Sequence, residues 1–437
     1  MNPEAFVLAG SFLAVCRAPA YFEELHARDL KILLITPSPA EQARRAARNR
    51  EHPASGIEDF AFVGAGSGTE DAFLTEAVNA ARAWRGRYRI TGVLAAGETQ
   101  VEPAGLLADA LGLPSPGLRA SRTCRSKLLQ RWYLPEFAPR SLALPSGSHT
   151  LPPGTAVPYP AIVKPCGRHS SSGVVSVDGP EDLRQHLAGY PASETVLVEE
   201  RVIGQEYSVE SLVQKGKILF SSVTRKETTE AASGGRSFVE LAHSVPAPPS
   251  GADAILLDAT RRVLEELDFE HGISHAEWRI DATGRPVLME VAARPPGDGL
   301  CVLYHLATGA PLEPEIIRVA LGETAGYPAC SRYARQIYLE HTPGILREVE
   351  ISAELPGLTA EWVGPGGLWP RIAPGRPDDP ATVRAVLVHK NRGDRLDVPR
   401  SSEDRALSVF LDAPDPQTLD RLEQRVRRAV TIHTDPG

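Results

Sequence analysis

The clearest structural signal in the chain is residues 274–297, SHAEWRIDATGRPVLMEVAARPPG. Two largely apolar runs are joined by a short turn at Gly284, which is typical of an antiparallel hairpin. In such a hairpin, Glu277 and Glu290 can lie opposite each other on one face. Adjacent carboxylates repel each other unless a cation lies between them, and Mg²⁺ prefers carboxylate oxygens together with phosphate oxygens. The hairpin therefore predicts a magnesium site, and Arg294, four residues further on, could bind phosphate or carboxylate bidentately.

A phosphate-binding loop is predicted upstream of this hairpin. The run AIVKP at residues 161–165 places a lysine near the end of a short strand, and SSSG at 170–173 precedes another strand at 174–177. Small residues let backbone N–H groups approach phosphate oxygens, and serine hydroxyls add donors. An ordinary flexible hairpin would have the same composition. The residues of this predicted loop site are Lys164, Ser170, Ser171, Ser172 and Gly173.

Residues 195–210, TVLVEERVIGQEYSVE, form an acid-rich segment between these two hairpins. An apolar strand runs into Glu199 and Glu200, and Glu206 follows a turn at Gly204. A strand edge can recognise adenine with a backbone carbonyl and a backbone N–H group, which leaves a downstream acid for the ribose hydroxyls. A surface hairpin with solvated acids would show the same pattern, so this segment alone leaves both interpretations open.

The order of these segments resembles the ATP-grasp superfamily. The lysine of RSK at 125–127 comes first, then the strand with Lys164, the acid-rich segment, and finally the paired carboxylates with their arginine. The resemblance covers about residues 118 to 325. It implies an α/β fold in which a Rossmann-like pre-ATP-grasp domain precedes the ATP-grasp domain and an α+β extension follows it. The predicted domains are residues 1–117, 118–325 with a lid at about 155–203, and 326–437, which would complete the substrate site.

The resemblance implies a nucleotide site built from several of these segments. Two lysines and the serine-rich loop would contact the phosphates, Glu199 and two backbone groups would hold adenine, and a later acid would hold the ribose. Lys226, which follows a predicted strand at 218–223, is implied as a further phosphate contact and catalytic group. The implied ATP-binding residues are Lys127, Lys164, Ser170, Ser171, Ser172, Gly173, Glu199, Glu200, Val202 and Glu206.

The same resemblance implies the chemistry of the site. Glu277 and Glu290 would bind Mg²⁺, or Mn²⁺ in its place, and Arg294 would steady an acyl phosphate or a substrate carboxylate. The common family pattern Glu-x-Asn-x-Arg supplies an asparagine as a further metal ligand, but Ala292 occupies that place here. Water can replace one oxygen ligand of Mg²⁺. Ala292 therefore leaves open one metal ion or two, and also reduced activity.

Within the superfamily, the chain is most similar to the L-amino-acid ligases and related carboxylate–amine ligases. Residues 238–246 (FVELAHSVP) and 293–297 (ARPPG) resemble their substrate-side segments. Glu240, His243 and His275 are therefore candidate substrate ligands, although each could equally be an ordinary structural polar group.

The resemblance implies an ADP-forming ligase of biosynthesis that joins a small carboxylic or amino acid to an amine through an acyl phosphate. Three alternatives stay open on the sequence. The acceptor could be carried on a protein or peptide, the reaction could stop at a phosphorylated product, or the chain could bind nucleotide without catalysis. A homodimer is common among similar ligases and is a further expectation.

Both ends of the chain are predicted to mix strands and helices. Residues 1–117 alternate between the two, which indicates a parallel sheet, and the apolar stretch 6–16 predicts a buried strand and turn. The run GAGSG at 64–68 fails the GxGxxG spacing because Thr69 stands where the third glycine belongs, so a strand-to-helix turn is predicted there. The predicted N-terminal strands are 31–35, 60–63 and 90–95, with helices at 40–50 and 71–84. The predicted C-terminal strands are 335–339, 385–389 and 406–411, with a final helix at 416–429.

Composition narrows the partners. The net charge of −8 argues against nucleic acid or an anionic membrane as the main partner, because both favour basic surfaces. No apolar run is long enough to span a membrane. The five cysteines are dispersed without a CxxC motif, which argues against a zinc site or a disulfide framework and fits a reducing compartment. We therefore predict a cytoplasmic protein that acts on small molecules.

Overall fold

The computed structural model describes residues 2–37, 39–64, 70–168, 171–230, 238–364 and 367–436. Most of the glycine-rich run at 64–68 lies outside these ranges, and its predicted strand-to-helix turn with it. Ser170 of the predicted phosphate loop also lies outside the described residues.

A four-stranded parallel sheet forms the N-terminal part of the chain, as the sequence predicts. Its two central strands are apolar at nearly every position because both faces of a parallel sheet are covered, and Leu33 and Ile35, for example, are fully buried. The strands are β1 (Glu4–Ala9), β2 (Lys31–Thr36), β3 (Ile57–Phe62) and β4 (Arg89–Ala95), in the spatial order β3-β2-β1-β4.

Five helices and two short 3₁₀ turns accompany this sheet. The turn predicted for the end of the stretch 6–16 is wrong, because a helix forms there after β1. Phe12, Val15 and Cys16 are buried at helical spacing, so that period decides the local structure. The helices are α1 (Phe12–Cys16), α2 (Pro19–His26), α3 (Ala40–Ala47), α4 (Glu70–Arg85) and α5 (Val101–Ala110), with 3₁₀ turns at Pro53–Gly56 and Glu98–Gln100.

A small antiparallel sheet with its own apolar core corresponds to the predicted lid. It contains β5 (Ser141–Leu144), β6 (Ala161–Pro165), β7 (Val175–Val177) and β8 (Val196–Glu200) in the order β5-β8-β6-β7, with helix α8 (Pro180–Leu187) packed on it. The predicted hairpin around Lys164 is confirmed as the pair β6–β7. The sheet begins earlier than the lid predicted at 155–203, because β5 pairs with β8.

The remaining strands build a nine-stranded sheet and a three-stranded sheet. They are β9 (Gly204–Gln214), β10 (Lys217–Thr228), β11 (Glu240–Val245), β12 (His271–Asp281), β13 (Pro286–Ala292), β14 (Tyr333–Tyr338), β15 (Gly344–Ile351), β16 (Glu361–Trp362), β17 (Thr382–Val388), β18 (Arg395–Leu396), β19 (Leu407–Ala413) and β20 (Val430–Asp435). The large sheet has the order β13-β12-β9-β10-β11-β14-β19-β17-β16, and the small one β18-β15-β20. The large sheet crosses the boundary predicted at residues 325 and 326, and the division into three domains stays a prediction.

The large sheet fixes the positions of three predicted site residues. Glu277 of β12 lies directly opposite Glu290 of β13 in an antiparallel pair, followed by a register shift at Trp278. Lys226 was predicted to follow its strand, and this prediction is wrong. Lys226 lies within β10, which continues to Thr228. The acid-rich segment is not a surface hairpin either, because β8 and β9 belong to different sheets.

The other helices cover the sheets and bring further segments to their edges. They are α6 (Leu118–Arg125), α7 (Lys127–Tyr133), α9 (Asp253–Glu266), α10 (Leu300–Thr308), α11 (Glu313–Leu321) and α12 (Pro416–Ala429). The final helix has the predicted bounds. Among the described residues, no helix combines the length and the apolar character needed to cross a membrane.

Candidate active site

One cavity of about 240 Å³ brings nearly all predicted site residues together. It lies between the small antiparallel sheet and the nine-stranded sheet. The predicted residues that line it are Lys127, Lys164, Ser171, Ser172, Glu199, Glu200, Val202, Glu206, Lys226, Glu240, His243, His275, Glu277, Glu290 and Arg294.

The described part of the serine-rich loop lies at the mouth of this cavity. Ser171 donates a hydrogen bond from Oγ to the carbonyl of Phe238 at 3.2 Å, which ties the loop to the segment before β11. Gly173 is not among the lining residues. Its φ of +73° lies in the left-handed region that favours glycine, and this conformation gives the turn its shape.

Each of the two opposed carboxylates has a lysine partner. Nζ of Lys127 lies 2.9 Å from Oε2 of Glu290, and Nζ of Lys226 contacts Oε1 of Glu277. Burial would raise the pKa of Glu277, but the charges of Lys226 and His275 outweigh it and hold that pKa well below its usual value. Glu277 is therefore ionised at neutral pH, which is the state in which a carboxylate binds a metal ion.

His275 lines the cavity but contacts two protein carboxylates, so its predicted role as a substrate ligand stays a prediction. Its Nδ1 lies 2.7 Å from Oε1 of Glu210, and its Nε2 lies 3.3 Å from Oε1 of Glu277. Both ring nitrogens are thus used by protein carboxylates. Burial would lower the pKa of His275, but the hydrogen bonds to Glu210 and Glu277 outweigh it and raise that pKa to about 9. The sequence did not indicate Glu210, a fully buried residue of β9.

Lys226 is the most crowded cation of the site. It is 2% exposed and lies within 3.7 Å of three carboxylates: Glu277, Glu206 at 3.5 Å and Glu240 at 3.7 Å. These charges outweigh the effect of burial and raise the pKa of Lys226 well above its usual value. The buried ammonium is thus a fixed positive charge at the centre of the cavity.

Glu199 lines the cavity and is held by two cationic side chains, and its predicted contact with adenine stays a prediction. Oε2 lies 2.6 Å from Nζ of Lys164, and Oε1 accepts a hydrogen bond from Nε of Arg131 at 2.6 Å. All three side chains are almost completely buried, and a buried charge requires such partners. Burial would raise the pKa of Glu199, but Arg131 and Lys164 lower it to about 2. Arg131 carried no recognisable signal in the sequence.

The rest of the acid-rich segment is partly engaged as well. The N–H of Glu200 donates to the carbonyl of Arg140 at 2.9 Å, and the carbonyl of Val202 accepts from Arg279 at 2.9 Å. Glu206 stays on the cavity wall, where Oε2 accepts from Arg279 at 2.8 Å. The predicted adenine contact is therefore narrowed to the carbonyl of Glu200 and the N–H of Val202, and it stays a prediction.

A model of the ATP-grasp domain matches residues 157–302. The chain contains an ATP-grasp domain. Its whole fold is similar to solved ligase structures: L-amino acid ligase from Bacillus licheniformis has 17% sequence identity and a TM-score of 0.74. Phosphoribosylglycinamide synthetase from Anaerococcus prevotii has 12% and 0.61, and N5-carboxyaminoimidazole ribonucleotide synthetase from Thermotoga maritima has 14% and 0.60. Each similarity covers 100% of both chains. Among curated proteins, none matches this sequence.

The opposed carboxylates of this ATP-grasp domain suit Mg²⁺. Ala292 lies at the end of β13 and lines the cavity without offering an oxygen ligand. In the described part of the chain, no group of three or more His, Cys, Asp or Glu side chains could hold a metal ion by itself. Two carboxylates completed by phosphate and water oxygens are the usual arrangement for Mg²⁺, so Glu277 and Glu290 fit this ion.

The cavity wall that contains Glu240 and His243, the opposite wall, depends on two residues that the sequence did not indicate, Asp298 and Arg405. Nε2 of His243 lies 2.8 Å from Oδ2 of Asp298, and both terminal nitrogens of Arg405 donate to the same carboxylate. Glu240 accepts from Ser402 at 2.8 Å and lies 3.7 Å from Arg405. Asp298 directly follows the ARPPG run, and this position could have indicated it as a site residue. Arg405 is 107 residues from Asp298 in the sequence, and no motif indicates it.

Arg294 also has an unexpected partner. Its Nε donates to Oε2 of Glu98 at 2.6 Å, and its Nη1 donates to the carbonyl of Pro295 at 2.8 Å. Glu98 comes from the 3₁₀ turn after β4 of the N-terminal sheet. The predicted contact of Arg294 with phosphate or carboxylate stays a prediction. The structure shows that Glu98 and the carbonyl of Pro295 hold this side chain.

Proposed function

We propose that this protein is a magnesium- and ATP-dependent ligase that joins the carboxylate of a small amino or carboxylic acid to an amine. The observation that carries the proposal is the opposed pair Glu277 and Glu290, which faces a cavity that also holds Lys127, Lys164, Lys226 and Arg294. Two opposed carboxylates among four basic side chains suit a metal-bound polyphosphate beside an anionic substrate. The ATP-grasp domain and the ligases of similar fold support the same reaction class.

The reaction has two balanced steps. A carboxylate oxygen attacks the γ-phosphorus of ATP, the bond to the β–γ bridging oxygen breaks, and ADP leaves with that electron pair. The amine nitrogen then attacks the carbonyl carbon of the acyl phosphate, inorganic phosphate leaves, and the nitrogen loses a proton. In both steps, positioning and charge neutralisation provide most of the catalysis.

Different residues of the cavity would have different roles in this reaction. Lys127 and Lys164 would neutralise phosphate oxygens beneath the serine-rich loop, and Lys226 would keep a fixed positive charge at the centre of the cavity. Glu277 and Glu290 would hold Mg²⁺, which supplies charge neutralisation at the phosphates when bound. The small antiparallel sheet would exclude water from the acyl phosphate.

Glu240 and His243 line the other end of the cavity, and we assign the substrates to this end. Ser402 and Arg405 hold Glu240, whereas Asp298 holds His243. The surface there is polar and charged, which suits small zwitterionic acids better than apolar ones.

An ADP-release assay tests this function. The purified protein would be incubated with MgATP and a panel of amino acids and simple carboxylic acids, singly and in pairs, and the products identified by mass. The proposal predicts ADP and phosphate in equal amounts, together with an amide product for at least one pair. ADP formation only with a carrier protein or peptide would assign a larger acceptor. ADP with a phosphorylated product that resists amines would indicate a phosphotransferase, and no ADP with any pair would contradict the proposal.

A further inference from the structure

Glu98 and Arg294 form a buried ion pair that joins the N-terminal sheet to the edge of the active-site cavity. The two residues are 196 positions apart in the sequence, and Nε and Oε2 lie 2.6 Å from each other. Glu98 is 8% exposed, and the side chain of Arg294 is 18% exposed. A buried ion pair often contributes little net stability, because desolvation offsets the attraction between the charges. Stability alone therefore gives a weak reason for this pair.

The contacts of Arg294 fix the orientation of its guanidinium group. Nε is held by Glu98, and Nη1 is held by the carbonyl of Pro295. Among the described residues, none accepts a hydrogen bond from Nη2. The guanidinium is planar and rigid, so two fixed nitrogens determine where the third one points. Because Arg294 lines the cavity together with Glu290, the plane of its donors is set beside the predicted metal site.

Glu98 is itself held on a rigid support. The loops after β1 and β4 touch each other: a Cβ on Gly97 would lie 3.1 Å from Cα of Gly10, and the N–H of Ala96 donates to the carbonyl of Ala9 at 2.7 Å. In the described part of the chain, Oε1 of Glu98 is buried without a hydrogen-bond donor. Its other oxygen, Oε2, is the one that holds Nε of Arg294.

We propose that Glu98 is a positioning residue that orients Arg294 toward the reacting phosphate and carboxylate of the proposed ligase. This inference rests on the proposed function for its consequence, but not for its geometry. Because Glu98 lies in the 3₁₀ turn after β4, catalysis depends on the packing of the N-terminal sheet and its loops against the ATP-grasp domain. Glu98 does not touch the reacting groups and acts through Arg294.

Two measurements test this role. The first is a crystal structure of the Glu98→Ala variant beside the wild type, in which we expect the guanidinium of Arg294 to leave its position beside the cavity. The second is the kinetics of Glu98→Gln, whose neutral amide keeps the shape but weakens the contact. We expect kcat to fall on the order of 100-fold, because small misplacements of a substrate-orienting group have effects of this size. The KM for MgATP should stay unchanged, and the variant should stay folded at the assay temperature, so the loss of kcat would report positioning rather than unfolding.

Glu102→Gln is the matched control, because Glu102 lies on the following helix and pairs with Arg122, which is 72% exposed. This variant should retain wild-type kinetics. A double-mutant cycle completes the test: Glu98→Gln should have no further effect on kcat in an Arg294→Ala background, since the two residues act as a unit.

The outcomes separate this inference from the proposed function. An unmoved Arg294 in the Glu98→Ala structure would overturn the positioning role whatever the activity of the protein. Wild-type kcat in Glu98→Gln, or additive effects in the double-mutant cycle, would overturn it as well. If the wild type releases no ADP with any substrate, the proposed function fails, and the crystal structure still decides whether Glu98 positions Arg294.

Discussion

The two walls of the active-site cavity are built in different ways. On the proposed nucleotide wall, Lys127 and Lys164 belong to short motifs that are visible in the sequence, although Lys127 meets Glu290 across 163 residues. On the opposite wall, Asp298 and Arg405 meet across 107 residues of sequence. Local motifs therefore indicate the lysines of the proposed phosphate site but not their partners, whereas the opposite wall also depends on Arg405, which no motif indicates. The predictions below compare the two walls.

The largest effect is expected on the nucleotide wall, from Glu290→Gln. Losing one of the two proposed metal carboxylates would remove several kcal/mol of transition-state stabilisation, which corresponds to a loss of turnover on the order of 1,000-fold. The fold should stay intact because the amide keeps the shape of the side chain. ADP release measured across a range of magnesium concentrations, together with thermal unfolding, checks this. Normal turnover of the variant at low magnesium would refute the metal assignment.

The second-largest effect is a loss of folding stability, which we expect from Lys226→Met. The change leaves Glu206, Glu240 and Glu277 close together without their shared cation, and breaking a buried pair in this way costs about 3–5 kcal/mol. Urea unfolding would measure the loss. Lys217→Met is the matched control, since Lys217 is exposed at the start of the same strand. Equal stability of the two variants would mean that Lys226 is not needed to hold the three carboxylates.

The third prediction concerns pH and Glu199. Because the pKa of Glu199 is about 2 in the folded protein and 4.5 is its ordinary value, the unfolded chain binds the proton more readily. The stability from the ionised carboxylate is therefore complete above pH 4.5 and is lost as the pH falls from 4.5 toward 2. Chemical unfolding at several pH values should show a smaller acid-induced loss for Glu199→Gln than for the wild type. Identical slopes would contradict the ion pairs with Lys164 and Arg131.

The smallest effect is expected on the opposite wall, from Arg405→Gln. Asp298 would keep its contact with His243 at 2.8 Å but lose both bonds to the guanidinium. We expect about a tenfold rise in the KM of the small-molecule substrate, which corresponds to about 1.4 kcal/mol, with no change in the KM for MgATP. Arg400→Gln, an exposed residue of the same segment, serves as the control. A raised KM for MgATP instead would remove the distinction between the two walls.

Much of the fold could be predicted because its signals are local. The run KILLI at 31–35 is apolar on both faces, and it forms a central strand of the parallel sheet. The hairpin around Gly284 could be predicted from its two apolar runs, but the exact pairing of Glu277 with Glu290 depends on a register shift between Glu277 and Trp278 that the sequence pattern did not indicate. The bounds of the final helix, Pro416–Ala429, follow from its helical period and the N-terminal proline.

The side-chain partners could not be predicted in the same way. Arg131 meets Glu199 across 68 residues, and Glu98 meets Arg294 across 196. No spacing rule connects such positions, because the packing of separate sheets brings them together. The contacts of His275 could not be predicted for the same reason. Its residue type and its place in the sequence suited a substrate ligand, but both of its ring nitrogens contact protein carboxylates.

Transfer of labelled oxygen tests the proposed ligase reaction most directly. Amino and carboxylic acids labelled with ¹⁸O in the carboxylate would be supplied with MgATP and amines, and the released phosphate analysed by mass. An acyl phosphate intermediate requires that one carboxylate oxygen leaves with the phosphate, so the account predicts one ¹⁸O in the phosphate for each amide formed. Amide formation with unlabelled phosphate, or no turnover with any acid, would contradict it.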